Sequence, residues 1–363
     1  MTHPSPAEIH SAALLLPCAE LDPTLAFFTE RLSFRLESIF PADAPLVAVL
    51  SGHGMRLQLE VGHESPPSTL RLSCDDPDAL RDNPAEHTLT APNGTRIELV
   101  RHERSVALPD SAATFTLSHL DEGAAWDTGR AGMRYRDLIP GRQNGRVIAS
   151  HIAIEAGGPV PDYVHYHRVH FQMIYCYKGW VRVLYEDQGE PIVMHPGDCV
   201  LQPPEIRHRV LECSDGLEVV EITTPAAHPT FAEHDFDLPT PDLKPERLFN
   251  GQRFQFHQSE GAPTRPWPAG GFEARDLGMH AATDGIAQVD VLRGKGTTAA
   301  DLASHDADLQ FLFVLHGEIS LTRSENAAQR LRPGDALVLP GATKCSLHDG
   351  SDQTELLVVS FQG

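Results

Sequence analysis

Three histidines carry the first chemical signal in this chain. His165 and His167 flank Tyr166, and His208 lies well downstream. On a strand, residues two apart point to the same face. A third histidine on a neighbouring strand could meet the first two inside a closed β-roll. Three neutral imidazoles around one divalent transition metal leave coordination positions free for chemistry. Each histidine alone would read as a surface group or a hydrogen-bonded core residue; the spacing of the set makes His165, His167 and His208 the expected metal ligands. Gln172 is a further candidate, as a weak ligand, as a donor orienting substrate or dioxygen, or as a group bonded only within the barrel. Tyr163, Tyr166 and Tyr175 could line the mouth, an aromatic face and a hydroxyl suiting small polar aromatics. Gln172, Tyr166 and Tyr175 are therefore the candidate catalytic side chains. Arg182 and Arg207 could clamp a carboxylate, but surface ion pairs are the simpler expectation.

The composition narrows the partners. The chain has 363 residues, 41% of them hydrophobic, and a formal charge of −21 spread without an acidic block. That charge argues against nonspecific binding to nucleic acid or an anionic membrane. No run approaches the roughly 20 apolar residues needed to span a bilayer, and Ala12 to Leu16 is too short for a signal core. The six cysteines include no CxxC pair, so reduced thiols in a cytoplasmic protein are expected.

The elements that must hold these residues fall into blocks. Residues 1–105 offer a strand at Ile9–Leu16, a helix at Leu21–Leu32 opened by Asp22 and Pro23, and strands at Leu46–Leu50, Met55–Glu60, Thr69–Ser73 and Thr95–Val100. The last follows an Asn93-Gly94 turn. Residues 106–132, rich in Ala, Ser, Asp and Gly, read as a linker. The rest contains a repeat. Arg136-Asp137-Leu138 recurs as Arg275-Asp276-Leu277, Gly145 as Gly285, Gln172 and Gly179 as Gln310 and Gly317, Pro196-Gly197-Asp198 as Pro333-Gly334-Asp335, and Pro203 as Pro340. The offset stays between 137 and 140, the mark of a duplicated domain. Short β-rich runs broken by Gly and Pro predict an all-β barrel or double-sheet roll in each copy, with a proline-rich segment from Pro225 to about Arg253 joining them.

Residues 133–245 resemble the cupin superfamily. Its first motif is matched by Gly158, His165, His167, Gln172 and Gly179, and its second by Gly197, Pro203, Glu205 (where the family has Gly) and His208. With the repeat, the resemblance implies two tandem jelly-roll barrels, cupin 1 at 133–245 and cupin 2 at 246–363, in a mainly β protein. Gln172 stands where the family has a glutamate ligand, so the site would keep a net charge near +2 and favour an anionic chelator. In the second copy the ligand positions map to Ala303, His305 and Cys345, which implies a degenerate barrel acting as support or lid. The first block is similar to the glyoxalase/bleomycin-resistance fold of the vicinal-oxygen-chelate superfamily, a small α+β domain. There His10 and Glu98 would occupy ligand positions, with Gln58 or Glu60 available and the set incomplete, so a structural or dimerising role is expected.

The cupin resemblance, loosely to the gentisate dioxygenase group, implies a non-haem iron dioxygenase. It would cleave a C–C bond of a small anionic aromatic or β-dicarbonyl substrate, with Fe(II) favoured and Mn, Ni, Co, Zn or Cu as alternatives. A metal-dependent isomerase or lyase acting on a small carbonyl compound, and a non-catalytic ligand-binding cupin, are the competing expectations. Exposed barrel edges and the extra domain are compatible with a homodimer and do not fix the oligomeric state.

Overall fold

The computed structural model describes residues 11–41, 44–81, 88–101, 108–110, 112–121, 124–295, 298–302, 307–323, 327–341 and 343–362. His10, Ala303 and His305 lie outside the described residues. The chain divides into two compact units at Ser105/Val106.

In the first unit, a four-stranded sheet has the order Leu14–Cys18, Met55–Val61, Val47–Gly52, Arg35–Phe40, the first pair parallel and the rest antiparallel. A second sheet has the order Thr69–Cys74, Arg96–Arg101, Thr88–Thr90. The expected helix is Leu21–Ala26, continued by a wider π turn over Phe27–Arg31. Its N-cap is Glu20 rather than Asp22, with no side-chain cap. Leu16, Phe28, Leu50, Leu57 and Leu59 are fully buried beneath it, the outcome expected of strands that alternate apolar and polar residues.

The second unit is the pair of β-rolls that the repeat predicts. The first roll's larger sheet runs, in order, Gln255–His257, Cys199–Leu201, Phe171–Lys178, Leu217–Thr224, Ile148–Ile154, Arg134–Asp137 and Asp127–Thr128. Its smaller sheet runs Ile192–Met194, Val181–Tyr185, His208–Cys213, His165–His167 and Thr230–Ala232. The second roll repeats this plan, with a large sheet of Arg265–Pro266, Phe272–Asp276, Ala287–Gly294, Glu355–Phe361, Leu309–His316, Ala336–Pro340 and Thr116–Ser118.

Two details depart from the expected boundaries. The segment 106–132 is more than a linker. Thr116–Ser118 pairs with Ala336–Pro340 at the edge of the second roll, and Asp127–Thr128 pairs with Arg134–Asp137 in the first. Likewise Gln255–His257, past residue 245, completes the first roll by pairing with Cys199–Leu201. Each roll thus takes its outermost strand from the chain that precedes the other roll. These strands are two or three residues long and none of their residues is fully buried, so they carry little hydrophobic alternation.

The two large sheets pack face to face. Phe171, Met173, Tyr175, Val220 and Ile222 of the first roll share one buried cluster with Val289, Phe311, Phe313, Val338 and Val359 of the second. Tyr177 Oη donates to Leu315 O across this boundary (3.2 Å). The second roll therefore supports the back of the first roll's large sheet. Its own interior is packed with Leu312, Val314, Ile319, Leu337, Leu347 and Leu356. Cys345 lies in that apolar cluster, and burial pushes its thiol up to about 11, so it stays protonated and is a poor ligand. Gln310 Nε2 donates to Ser360 Oγ (3.0 Å).

Candidate metal centre

His165 and His167 sit on one short strand and His208 opens the next, with His165 directly opposite His208 in the antiparallel pairing. That register turns two sequence-distant motifs into one cluster. The three ligand atoms lie within 4.8 Å of one another, the one group of three metal-ligating side chains among the described residues. His165 Nδ1 faces Tyr163 O (2.8 Å), His208 Nδ1 faces Ile206 O (3.0 Å) and His167 Nδ1 faces Thr230 Oγ1 (3.0 Å). With each Nδ1–H donated to an oxygen, the Nε2 atoms are the ones left to face a metal, that of His165 lying 3.0 Å from Arg130 Nη2, and the outer-sphere partners fix the metal-binding tautomer. Burial, reinforced by the neighbouring imidazoles and Arg130, holds His167 and His208 far below the usual histidine range and lowers His165 as well. The rings are thus neutral, the form that binds metal. This donor set fits a divalent transition metal.

Glu205 bonds Arg168 Nε (2.9 Å) and its N–H donates to His167 O (2.9 Å) while its backbone adopts φ 63°. The left-handed turn explains why glycine suits this position.

The triad opens into a cavity of about 290 Å³ that runs down the inside of the roll. Most of its lining residues were not among the sequence candidates, Arg130, Tyr185, His228 and Glu221 among them. Arg130 Nη2 approaches His165 Nε2 (3.0 Å), and its Nη1 donates to Asp162, whose carboxylate is anchored by Val210 N–H (3.0 Å). Gly129 permits the approach, since a Cβ there would meet the Tyr135 ring at 2.6 Å. Tyr185 stacks on His208 (5.7 Å between centroids), and His228 packs edge-on to His167 (5.8 Å). Glu221 is the acidic side chain of the cavity wall. Gln172 Nε2 donates to Glu221 Oε1 (2.8 Å), as does Thr223 Oγ1 (3.2 Å).

Gln172 itself, 2% exposed, lines the cavity as expected. Its amide is oriented by a carboxylate one strand away, so the acid absent at position 172 reappears at 221. Gln202, its cross-strand neighbour, is 1% exposed and both of its amide atoms lack a partner. Gln172→Glu would set two carboxylates side by side. It is expected to weaken an anionic ligand about tenfold or more while changing metal retention less. Titrating both proteins with one anionic chelator checks this, and equal affinities would reject it.

Two candidate catalytic residues are placed elsewhere. Tyr166 turns to the opposite face from its flanking histidines, stacked on Phe231 (5.0 Å) beneath Arg207 (4.7 Å). Tyr175 is odd-numbered from Gln172 and so faces the second roll, 3% exposed, with burial raising its phenol. Neither lines the cavity. Tyr163 lies beside His165, the two rings 5.9 Å apart, and is not among the cavity's lining residues. Arg182 and Arg207 form ion pairs with Glu212 and with Glu186 and Glu233. In the first unit, Glu98 pairs with Arg71 (2.9 Å) and Gln58 with Glu60 (3.1 Å); they form no three-ligand cluster among the described residues.

Residues 150–223 match the cupin domain family. The match falls within the first roll. No match was found among curated proteins. In fold, the chain is similar to an oxalate decarboxylase from Lactobacillus farciminis solved as a formate complex, with TM-score 0.51 and 11% identity over 70% of this chain and 88% of that one. Salicylate 1,2-dioxygenase from Pseudaminobacter salicylatoxidans gives 0.49 and 16% over 70% and 86%. Streptomyces albus HEPD with 2-hydroxyethylphosphonate and Fe(II) bound gives 0.49 and 14% over 69% and 76%. At 11% identity the first of these likenesses speaks to the fold alone and leaves the chemistry to the site.

Proposed function

We propose that the first cupin is a metal-dependent dioxygenase, with iron(II) the favoured ion, that cleaves a C–C bond of a small anionic aromatic or β-dicarbonyl substrate. The observation that carries this reading is the convergence of three neutral imidazoles, their Nε2 lone pairs facing a closed cavity beside one fixed guanidinium. When bound, the metal supplies Lewis acidity and, as iron, redox access to dioxygen. His165, His167 and His208 hold it. Arg130, fixed by Asp162, pairs with the substrate's negative charge as it enters. Glu221, held by Gln172 and Thr223, stands ready to accept a proton from an enol or phenol. The apolar wall below excludes water.

Oxygen uptake by iron-loaded protein with catechol-like acids and β-dicarbonyl compounds tests the proposal. Product formed without oxygen consumption would replace it with the isomerase or lyase reading, which Glu221 favours as a proton acceptor in the cavity. Ligand binding without turnover in either atmosphere would leave a non-catalytic cupin. Metal analysis of protein purified without added metal identifies the ion.

For the N-terminal unit we favour a vicinal-oxygen-chelate-like structural role, supported by its strand order. Its edge strand Arg35–Phe40 exposes Leu36, Ile39 and Phe40, which suits pairing of two chains into a homodimer. The six free cysteines, five of them buried, suit a reducing cytoplasm. Among the described residues no helix is long and apolar enough to cross a membrane.

A further inference from the structure

The cavity is sorted by depth, and the strand register shows how. Gln202, Gln172 and Thr223 lie side by side on adjacent strands of the large sheet, and the next row down holds Ile174, Glu221 and Ser150. Two residues further along each strand the inward positions become Val219 and Ile152, then Leu217 and Ile154. On the facing sheet the same descent runs from His208 and Tyr185 to Val210 and Val183, then to Val181 opposite Met194. All of these except Thr223 line the one cavity. Charge is thus confined to the upper rows, and the lower rows are aliphatic on both walls apart from Tyr135, opposite Ile152, whose hydroxyl donates to Met133 Sδ (3.6 Å).

From this arrangement we infer that the substrate is an amphipathic monoanion. Its acidic head meets Arg130 and the histidine triad at the top of the cavity, and an unbranched alkyl or aryl body fills the sleeve formed by Ile152, Ile154, Val181, Val183, Leu217 and Val219. This deepens the proposed function and rests on its assignment of the head-group site. A second carboxylate at the far end of the substrate would be stripped of water among these aliphatic side chains with no partner, at prohibitive cost. On its way down it would also pass Glu221. Elongated dianions are therefore excluded, and binding strength comes from apolar burial below the head. The cavity is at the small end of the range for enclosed ligands, about 300–1,000 Å³, so the body is short.

The test uses full-length protein loaded with zinc, which supports no oxygen chemistry, and isothermal titration with acetate, butanoate, hexanoate, octanoate, succinate and adipate. Affinity should rise about fourfold per methylene from butanoate until the sleeve is full. Hexanoate should bind at least tenfold more tightly than adipate. Val219→Phe should end the rise at a shorter chain and Leu217→Ala should extend it, with acetate affinity unchanged in both. If Val219→Phe fails to bind acetate, the wild-type series and Leu217→Ala decide. An affinity flat along the series, or adipate matching hexanoate, would overturn the inference. Because zinc is used, this result is independent of whether iron-loaded protein consumes dioxygen.

Discussion

Replacing His208 with alanine is expected to abolish metal retention and lower turnover by about a thousandfold or more. His208 is the ligand supplied by the second motif, and its ring lies 4.2 Å from His165 and 5.3 Å from His167. Removing it leaves two imidazoles, too few to hold a catalytic ion against exchange with solvent. The Lewis acidity then lost is worth several kcal/mol, and each 1.36 kcal/mol is tenfold in rate. The fold should survive, because the variant removes a polar ring that faces a cavity rather than a packed apolar contact. Metal content by elemental analysis, with circular dichroism as the folding control, checks the result. One equivalent of metal in the folded variant would remove His208 from the centre.

The second large effect is expected at Arg130. Arg130→Leu should raise the KM of an anionic substrate by about 10- to 100-fold, the weight of one charge-assisted contact, while metal content stays near that of the native protein. The geometry sets this expectation. Asp162 is buried, bonded by Val210 N–H, and holds the guanidinium at the edge of the triad. An arginine so anchored loses little entropy on meeting its anion. Asp162→Asn should reproduce part of the effect by loosening Arg130 without removing its charge. A neutral ester of the same substrate should bind equally to native and Arg130→Leu protein, which separates charge recognition from general damage. An unchanged KM for the anion would end the assignment.

The barrels and the triad were legible because their signals are local. A pair of histidines two apart, a Pro-Gly turn and a repeated spacing survive in the linear sequence. What the sequence concealed depends on which strands become neighbours. Arg130 lies in a stretch of small residues that reads as a connector, and only the fold brings it over His165. Glu221 could have been found. In Leu217–Thr224 the inward positions are Leu217, Val219, Glu221 and Thr223, and a carboxylate in that series breaks an otherwise apolar face. The same parity would have set aside Tyr166, which lies between two inward histidines, and Tyr175, three residues from Gln172. Both tyrosines attracted interest by type, while side-chain direction on a strand is governed by position. Tyr185 and His228 join the site through register and through the turn after Thr224, neither of which a motif records.

The exchanged outer strands bear on why a copy without a full ligand set persists. Thr116–Ser118 closes the second sheet although it precedes the first roll, and Gln255–His257 closes the first although it leads into the second. Neither half can be deleted without uncovering a hydrogen-bonding edge and the broad apolar face of its sibling. The halves should accordingly melt together as one cooperative body, and the first roll expressed alone should aggregate.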